Sequence, residues 1–397
     1  MLDEIKALDK KYYMNTFGER LNVMFDHGEG MKLYSDAGDV YYDFLGGIAV
    51  NSVGHAHPKL VRAISQQAAK VIHTSSLYYI ENQARLAQKL VESTCADKAF
   101  FCNSGAEANE GAMKLARIYF YKKGMNKNEI ISLDHSFHGR TLATVAVTGQ
   151  EHYQAPYRPN LPGVTQVEPN NFEALKAAVT DKTAAIMLEP IQGESGVHPM
   201  DKEYLQKVRE LCSEKNIILI FDEVQTGMGR TGHLFAYQLY GIEPDIFTSA
   251  KALGGGVPIG AVCAKQFVAD AFEPGDHGTT FGGNPLATAA GLAVFDIYES
   301  ENLVENAKLK GEEFKNKLNM LRDKYPDKIS DIRGAGLLIG IQVKDELGKT
   351  VFNKLFENKI LTSLCSGNTI RIAPPLIITS GDIDLFIKTF EQIIKEI

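Results

Sequence analysis

A chain of 397 residues, 44% hydrophobic and 23% charged, carries enough apolar side chains for a large buried core and is long enough for two or three domains. Its net charge of −7, without a long basic run, argues against nucleic acid or an anionic membrane as a partner and leaves small-molecule chemistry. The five cysteines are scattered with no CxxC pair, the N-terminus lacks an apolar leader, and no segment approaches the roughly 20 apolar residues of a membrane span, so a reduced cytoplasmic protein without a metal centre is expected.

Residues 1–50 read as a short helix followed by a hairpin, EGMKLYSDAGDVYYDFLGG, whose aromatic runs flank a turn at Asp36 to Asp39. HAHPKLVRAISQQAAK then opens a helix with proline in its first turn, and the helical pattern continues into ENQARLAQKLVEST. From about residue 97, short apolar runs alternate with amphipathic helices: DKAFFCN, a helix over 107–121, EIISLD, TAAIMLEP, a helix over 202–215, IILIFD, DIFTSA and IGAVCA. Runs without period-2 alternation mark strands covered on both faces, so residues 51–284 are expected to form an α/β domain with a largely parallel sheet. Residues 285–397 read as a smaller α/β domain, against which residues 1–50 are expected to pack. It opens on the apolar helix LATAAGLAVFDIYES and continues with a charged helix over 302–324, RGAGLLIGIQV, a helix over 351–359 and NTIRIAPPL. The closing helix buries a stripe of Ile383, Phe386, Phe390, Ile393, Ile394 and Ile397.

In parallel sheets, ligands bind beyond the carboxyl ends of the strands, which directs attention to Asn103-Ser104-Gly105, Asp134 to Arg140, Glu189, Asp222 and Lys251. An ordinary lysine is solvated, but Lys251 arrives at the end of a buried run with glycines behind it, as an amine that forms a Schiff base requires. Such an amine needs a carbonyl cofactor held by its phosphate and a group that tunes its ring. Ser104-Gly105-Ala106, between a strand and a helix, either caps that helix or receives a phosphate on free N–H groups. Asp222 ends a buried strand, so it either accepts local backbone N–H groups or faces a cationic partner such as a protonated pyridine nitrogen. Phe137 to Arg140 combines a ring for stacking with an arginine that suits a carboxylate, and charge makes a Glu194–Arg371 pair plausible.

SGAEANE, FHGRT, EPIQGE, FDEVQTGMGRTG, SAKALGGGVPIG, HGTTFGGNPLA and RIAPPL occur in this order across residues 103–375. Together they resemble the class III, ornithine-type branch of the pyridoxal-phosphate aminotransferases. The resemblance implies an aspartate aminotransferase-like large domain, with a mostly parallel sheet of the seven-stranded type and helices on both faces, plus a smaller α/β domain. It assigns Lys251 the Schiff base to pyridoxal 5'-phosphate and the proton shuttle, and Asp222 the pyridinium nitrogen. It also assigns Ser104, Gly105 and Ala106 to the phosphate cradle and Phe137 to ring stacking. Glu223, Val224 and Gln225 are placed around the cofactor. Arg140 takes a substrate carboxylate. Thr280 reaches the phosphate in the neighbouring subunit, with Thr279 beside it near substrate, so a homodimer with shared sites is implied. Arg371, masked by Glu194, takes the second carboxylate of 2-oxoglutarate.

Within the family, NTFGERLNVMFDHGEG, DFLGGIAVNSVGHAHP and SSLYY are most similar to the acetylornithine-type members, which implies an ω-amine donor from arginine biosynthesis. Ornithine-specific members carry a tyrosine for the free α-amino acid where Gly18 stands here, which favours an acetylated donor. Ornithine, succinylornithine, 4-aminobutyrate, a carrier-bound lysine and an intramolecular aminomutase remain rival readings. So does a regulatory protein that keeps the fold without turnover.

Overall fold

The computed structural model describes all 397 residues. Its central sheet has seven strands, in the spatial order Lys98–Cys102, Gly260–Ala264, Ile246–Ser249, Ile218–Asp222, Thr183–Leu188, Glu129–Leu133 and Val164–Val167. Only Gly260–Ala264 runs against the others. Every residue of Thr183–Leu188 and Ile218–Asp222 is buried, which is why these runs lack polar alternation. Alternation survives as a division between two cores: Leu219 and Phe221 enter one hydrophobic cluster, Ile218 and Ile220 the cluster on the opposite face.

The smaller domain is built on an antiparallel sheet in the order Ile329–Ala335, Leu338–Val343, Thr369–Ile372, Ser363–Cys365. Helices Leu303–Lys324 and Ser380–Glu396 cover it. Five residues of the predicted stripe, Ile383, Phe386, Phe390, Ile393 and Ile394, are buried there, with Phe386 4.9 Å from Phe44 and 5.2 Å from Phe314 between ring centroids, while Ile397 lies past the helix end and is partly buried. The N-terminal strand Val40–Asp43 pairs in parallel with Ile360–Leu361, so the first hairpin extends a ladder of the C-terminal part.

The helical pattern expected to run from His57 into residues 81–94 is divided into Pro58–Ala68 and Glu81–Glu92. Between them Ser75 takes a left-handed φ of 75° and its hydroxyl accepts from Leu77 N–H, the side-chain competition that interrupts helices at serine. The break leaves Leu77, Tyr78 and Tyr79 exposed. The helix expected over 351–359 starts at Gly348 and stops at Glu357, because Lys359 turns left-handed at φ 63°.

Candidate active site

The strand ends converge as the parallel-sheet rule requires. A cavity of about 450 Å³ opens where Ser104 follows Lys98–Cys102, Glu189 follows Thr183–Leu188, Asp222 closes Ile218–Asp222 and Lys251 follows Ile246–Ser249. Ser104, Gly105, Ala106, Phe137, Arg140, Asp222, Val224, Gln225 and Lys251 all line it. Lys251 begins a tight turn, Lys251–Gly254, at φ 47°, a left-handed conformation that a side chain adopts only when its surroundings hold it there. Burial, reinforced by the Arg371 guanidinium, pushes its ammonium down to about 8 against the pull of Asp222, Glu189 and Glu194. The amine therefore reaches its neutral, proton-accepting form near physiological pH.

Asp222 is held by more than its strand. Its Oδ2 accepts from Asn109 Nδ2 at 2.7 Å and meets His138 Nδ1 at 2.8 Å, while Oδ1 accepts from Val224 N–H at 3.0 Å. Thr248 donates to Asn109 Oδ1 at 2.7 Å, closing a buried network that fixes the carboxylate. Burial alone would lower the His138 imidazolium, but the hydrogen bond and charge of Asp222, with Glu189 behind it, outweigh burial and raise it. Glu189 is itself pushed up by burial and by the Asp222 charge, while the N–H groups of Phe137 (2.9 Å) and Gly193 (3.2 Å) stabilise its ionised form. Asp222 thus accepts a local N–H, as one of its two readings expects, and also lines the cavity.

At the other end, Ser104 caps helix Gly105–Lys122 by accepting from Glu107 N–H. The N–H groups of Gly105 and Ala106 lie in the first turn, where no intrahelical acceptor exists. Glycine is required at 105, since a Cβ there would come within 2.7 Å of Val224 Cγ1.

Two arginines flank the cavity in different states. Arg140 is exposed, lies 4.0 Å from the Tyr153 ring centroid and 5.5 Å from that of Phe137, and forms no salt bridge. Arg371 is buried, and its Nη1 reaches Glu194 Oε2 at 3.1 Å, Gly193 O at 3.2 Å and Gln225 Oε1 at 3.2 Å. Its Nε donates to Ser363.

Some expected residues stand elsewhere. Glu223, expected near the cofactor, lies outside the cavity lining; its carboxylate accepts from Thr226 Oγ1 and from the N–H groups of Ala236 and Tyr237, so it braces the loop. Thr279 sits outside the lining and accepts from Asn103 Nδ2 at 3.1 Å. Thr280 is exposed and also outside its own chain's cavity. Sequence reasoning did not select Asn109, His138, Thr248, Tyr153 or Ser363 for the site. The readable signals were Asn109, one helical turn after Gly105, and His138, between the two selected residues Phe137 and Arg140.

The chain matches the family model for aminotransferase class-III over residues 13–394. It is a class III aminotransferase. The enzyme is 52% identical to the acetylornithine aminotransferase of Methanocaldococcus jannaschii over 98% of both chains, and 48% identical to that of Clostridium acetobutylicum over 98% of this chain and all of the other. Among solved structures, the ornithine aminotransferase of Toxoplasma gondii ME49 superposes with a TM-score of 0.95 at 32% identity, covering all of this chain and 95% of that one. The acetylornithine aminotransferase of Elizabethkingia anophelis gives 0.88 at 35% identity, covering all of this aminotransferase and 99% of its relative.

The residues of this aminotransferase fit pyridoxal phosphate. Unbonded N–H groups at the start of an 18-residue helix suit a phosphate, a lysine with a lowered pKa suits an aldehyde, and a carboxylate fixed at a strand end suits a ring nitrogen.

Proposed function

We propose that this aminotransferase moves the terminal amino group of N2-acetylornithine to 2-oxoglutarate, giving N-acetylglutamate 5-semialdehyde and glutamate, with pyridoxal 5'-phosphate carried on Lys251. The observation that carries the reading is the pair of unlike arginines: Arg140 open at the cavity mouth, Arg371 covered by Glu194. One open arginine suits a donor with a single carboxylate, and a second that must be uncovered suits a dicarboxylate acceptor. Names of the full-length relatives support the acetylated donor, as does the sequence resemblance, in which Gly18 stands where ornithine-specific members carry a tyrosine.

The cofactor, when bound, supplies an electron sink that delocalises the charge left as a proton leaves the substrate carbon next to nitrogen. The chain supplies the rest. Asp222, held by Asn109 and His138, would face a protonated ring nitrogen; Phe137 and Val224, which line the cavity, would hold the ring, and the N–H groups of Gly105 and Ala106 the phosphate. Lys251 Nζ, neutral above about 8, would be the base that accepts the proton from the donor carbon. Arg140 holds the donor carboxylate while Glu194 keeps Arg371 neutralised, so the uncharged acetamide end meets no bare cation. When 2-oxoglutarate enters, its second carboxylate replaces Glu194 on Arg371.

We infer further that two copies share their sites. Thr280 faces solvent beside the exposed Phe281, which lies 5.4 Å from His73, in the same segment as exposed Leu77 and Tyr79. An apolar surface of this kind, carrying a threonine outside its own cavity, suits pairing with a second copy.

The test is a single-turnover panel on the reconstituted enzyme with N-acetylornithine, ornithine, succinylornithine and 4-aminobutyrate, followed by the absorbance of the lysine-bound cofactor. N-acetylornithine is expected to react fastest; ornithine or 4-aminobutyrate matching it would refute the donor.

A further inference from the structure

Arg230 is a fully buried cation that the reaction does not use. It lies in the loop that leaves the sheet at Asp222, and no carboxylate is within salt-bridge reach of it. Burial pushes its guanidinium down to about 10, partly offset by Tyr298 and Asp43. A bare cation in such a place is costly unless its donors do something no apolar residue can do. Here Nη1 alone satisfies two backbone carbonyls of the smaller domain, Leu337 O at 3.1 Å and Pro374 O at 2.5 Å, while Nη2 is buried without a partner. The Arg230 carbonyl in turn accepts from Leu337 N–H at 2.9 Å.

The two clasped points belong to adjacent strands. Leu337 lies in the turn between Ile329–Ala335 and Leu338–Val343, and Pro374 follows Thr369–Ile372, the strand that carries Arg371. These strands are paired with Gly340 opposite Arg371. The same loop touches Arg371 a second time, where Gln225 Oε1 accepts from its guanidinium. The loop therefore grips one strand at the working side chain through Gln225 and at the backbone through Arg230. There is no slack in the joint: a Cβ on Gly336 would sit 2.6 Å from Arg230 O, and one on Gly229 would sit 2.9 Å from Leu376 Cδ1.

We propose that Arg230 is a positioning residue that sets how far Arg371 reaches into the cavity, and so determines recognition of the second carboxylate without affecting the donor held at Arg140. This rests on the reading of Arg371 as the dicarboxylate arginine. Pro374 O accepts from no other group, so shortening or removing the guanidinium removes the loop's backbone hold three residues beyond Arg371, leaving Ala373 N–H on Phe44 O as the anchor there.

The test uses Arg230→Lys, which retains the charge but whose shorter side chain withdraws the donor from the position of Nη1, and Arg230→Met, with Arg371→Lys as reference, all in the reconstituted enzyme. Calorimetry measures binding of glutarate, an unreactive dicarboxylate, and each half-reaction is followed separately. Arg230→Lys is expected to weaken glutarate and raise KM for 2-oxoglutarate about tenfold, with the constants of the donor half-reaction within about twofold of the parent. A structural defect alone would depress both halves together. Equal losses in both, or unchanged glutarate binding while Arg371→Lys weakens it, would overturn the assignment of Arg230. Unchanged binding in Arg371→Lys would remove the dicarboxylate reading and the inference with it. Should Arg230→Met fail to fold, Arg230→Lys decides the matter.

Discussion

Replacing Lys251 by methionine in the cofactor-free enzyme should make the protein more stable, and by an amount that depends on pH. The lysine is lowered from 10.5 to about 8 by burial and by Arg371. At roughly 1.4 kcal/mol per pH unit, the folded state bears about 3 kcal/mol for keeping this ammonium charged at neutral pH. Lys251 is only half-buried, and water at the cavity reduces that to roughly 2 kcal/mol. The sign follows from proton counts. Between about 8 and 10.5 the unfolded chain holds the proton and the folded chain does not, so wild-type stability rises with pH across this window. Below it the burden is fully present; above it the burden is gone. Methionine is near lysine in volume and carries no charge, so the variant lacks this rise. Urea denaturation of both proteins from neutral to alkaline pH measures the difference, and other titrating groups cancel in the subtraction. A constant gap across the window, or a variant less stable at neutral pH, would show that the amine is not held at a depressed pKa.

Three further outcomes are expected. Gly105→Ala puts a methyl 2.7 Å from Val224 Cγ1 at the phosphate cradle and should weaken cofactor binding about tenfold by absorbance titration, with little change in thermal stability. Asp222→Asn keeps the shape but removes the charge that raises His138, and should lower turnover by about two orders of magnitude or more while the cofactor still binds. Glu194→Gln leaves Arg371 uncovered, so the half-reaction with N-acetylornithine should slow about tenfold relative to that with glutamate; equal effects on both halves would contradict the masking role.

Much of the site was readable because it obeys a topological rule. Asp222, Glu189 and Lys251 stand where buried apolar runs end, and a parallel sheet brings those ends to one place. What supports Asp222 was readable only in part: the position of Asn109 one turn after Gly105 hints at the site, but its bond to Asp222, and that of Thr248 to Asn109, are contacts made only by folding. Glu223 falls between two cavity residues, Asp222 and Val224, yet its carboxylate is taken up by Thr226 and by the N–H groups of Ala236 and Tyr237, contacts that only the folded loop makes. The break at Ser75 was hidden because helical periodicity resumes after it, and the short strand Ser363–Cys365 is too brief to register as a pattern.

The helix Gly105–Lys122 has a dimensional consequence. Gly105 opens it at the phosphate cradle, and Asn109, four residues on, holds the acid expected to meet the ring nitrogen. Four residues of helix rise about 6 Å, so under the proposed roles one rigid turn would gauge the span between the phosphate and the ring nitrogen. A phosphorylated ring of another length would satisfy one end and miss the other. Inserting or deleting one residue within this turn would misalign both ends while leaving the lysine untouched.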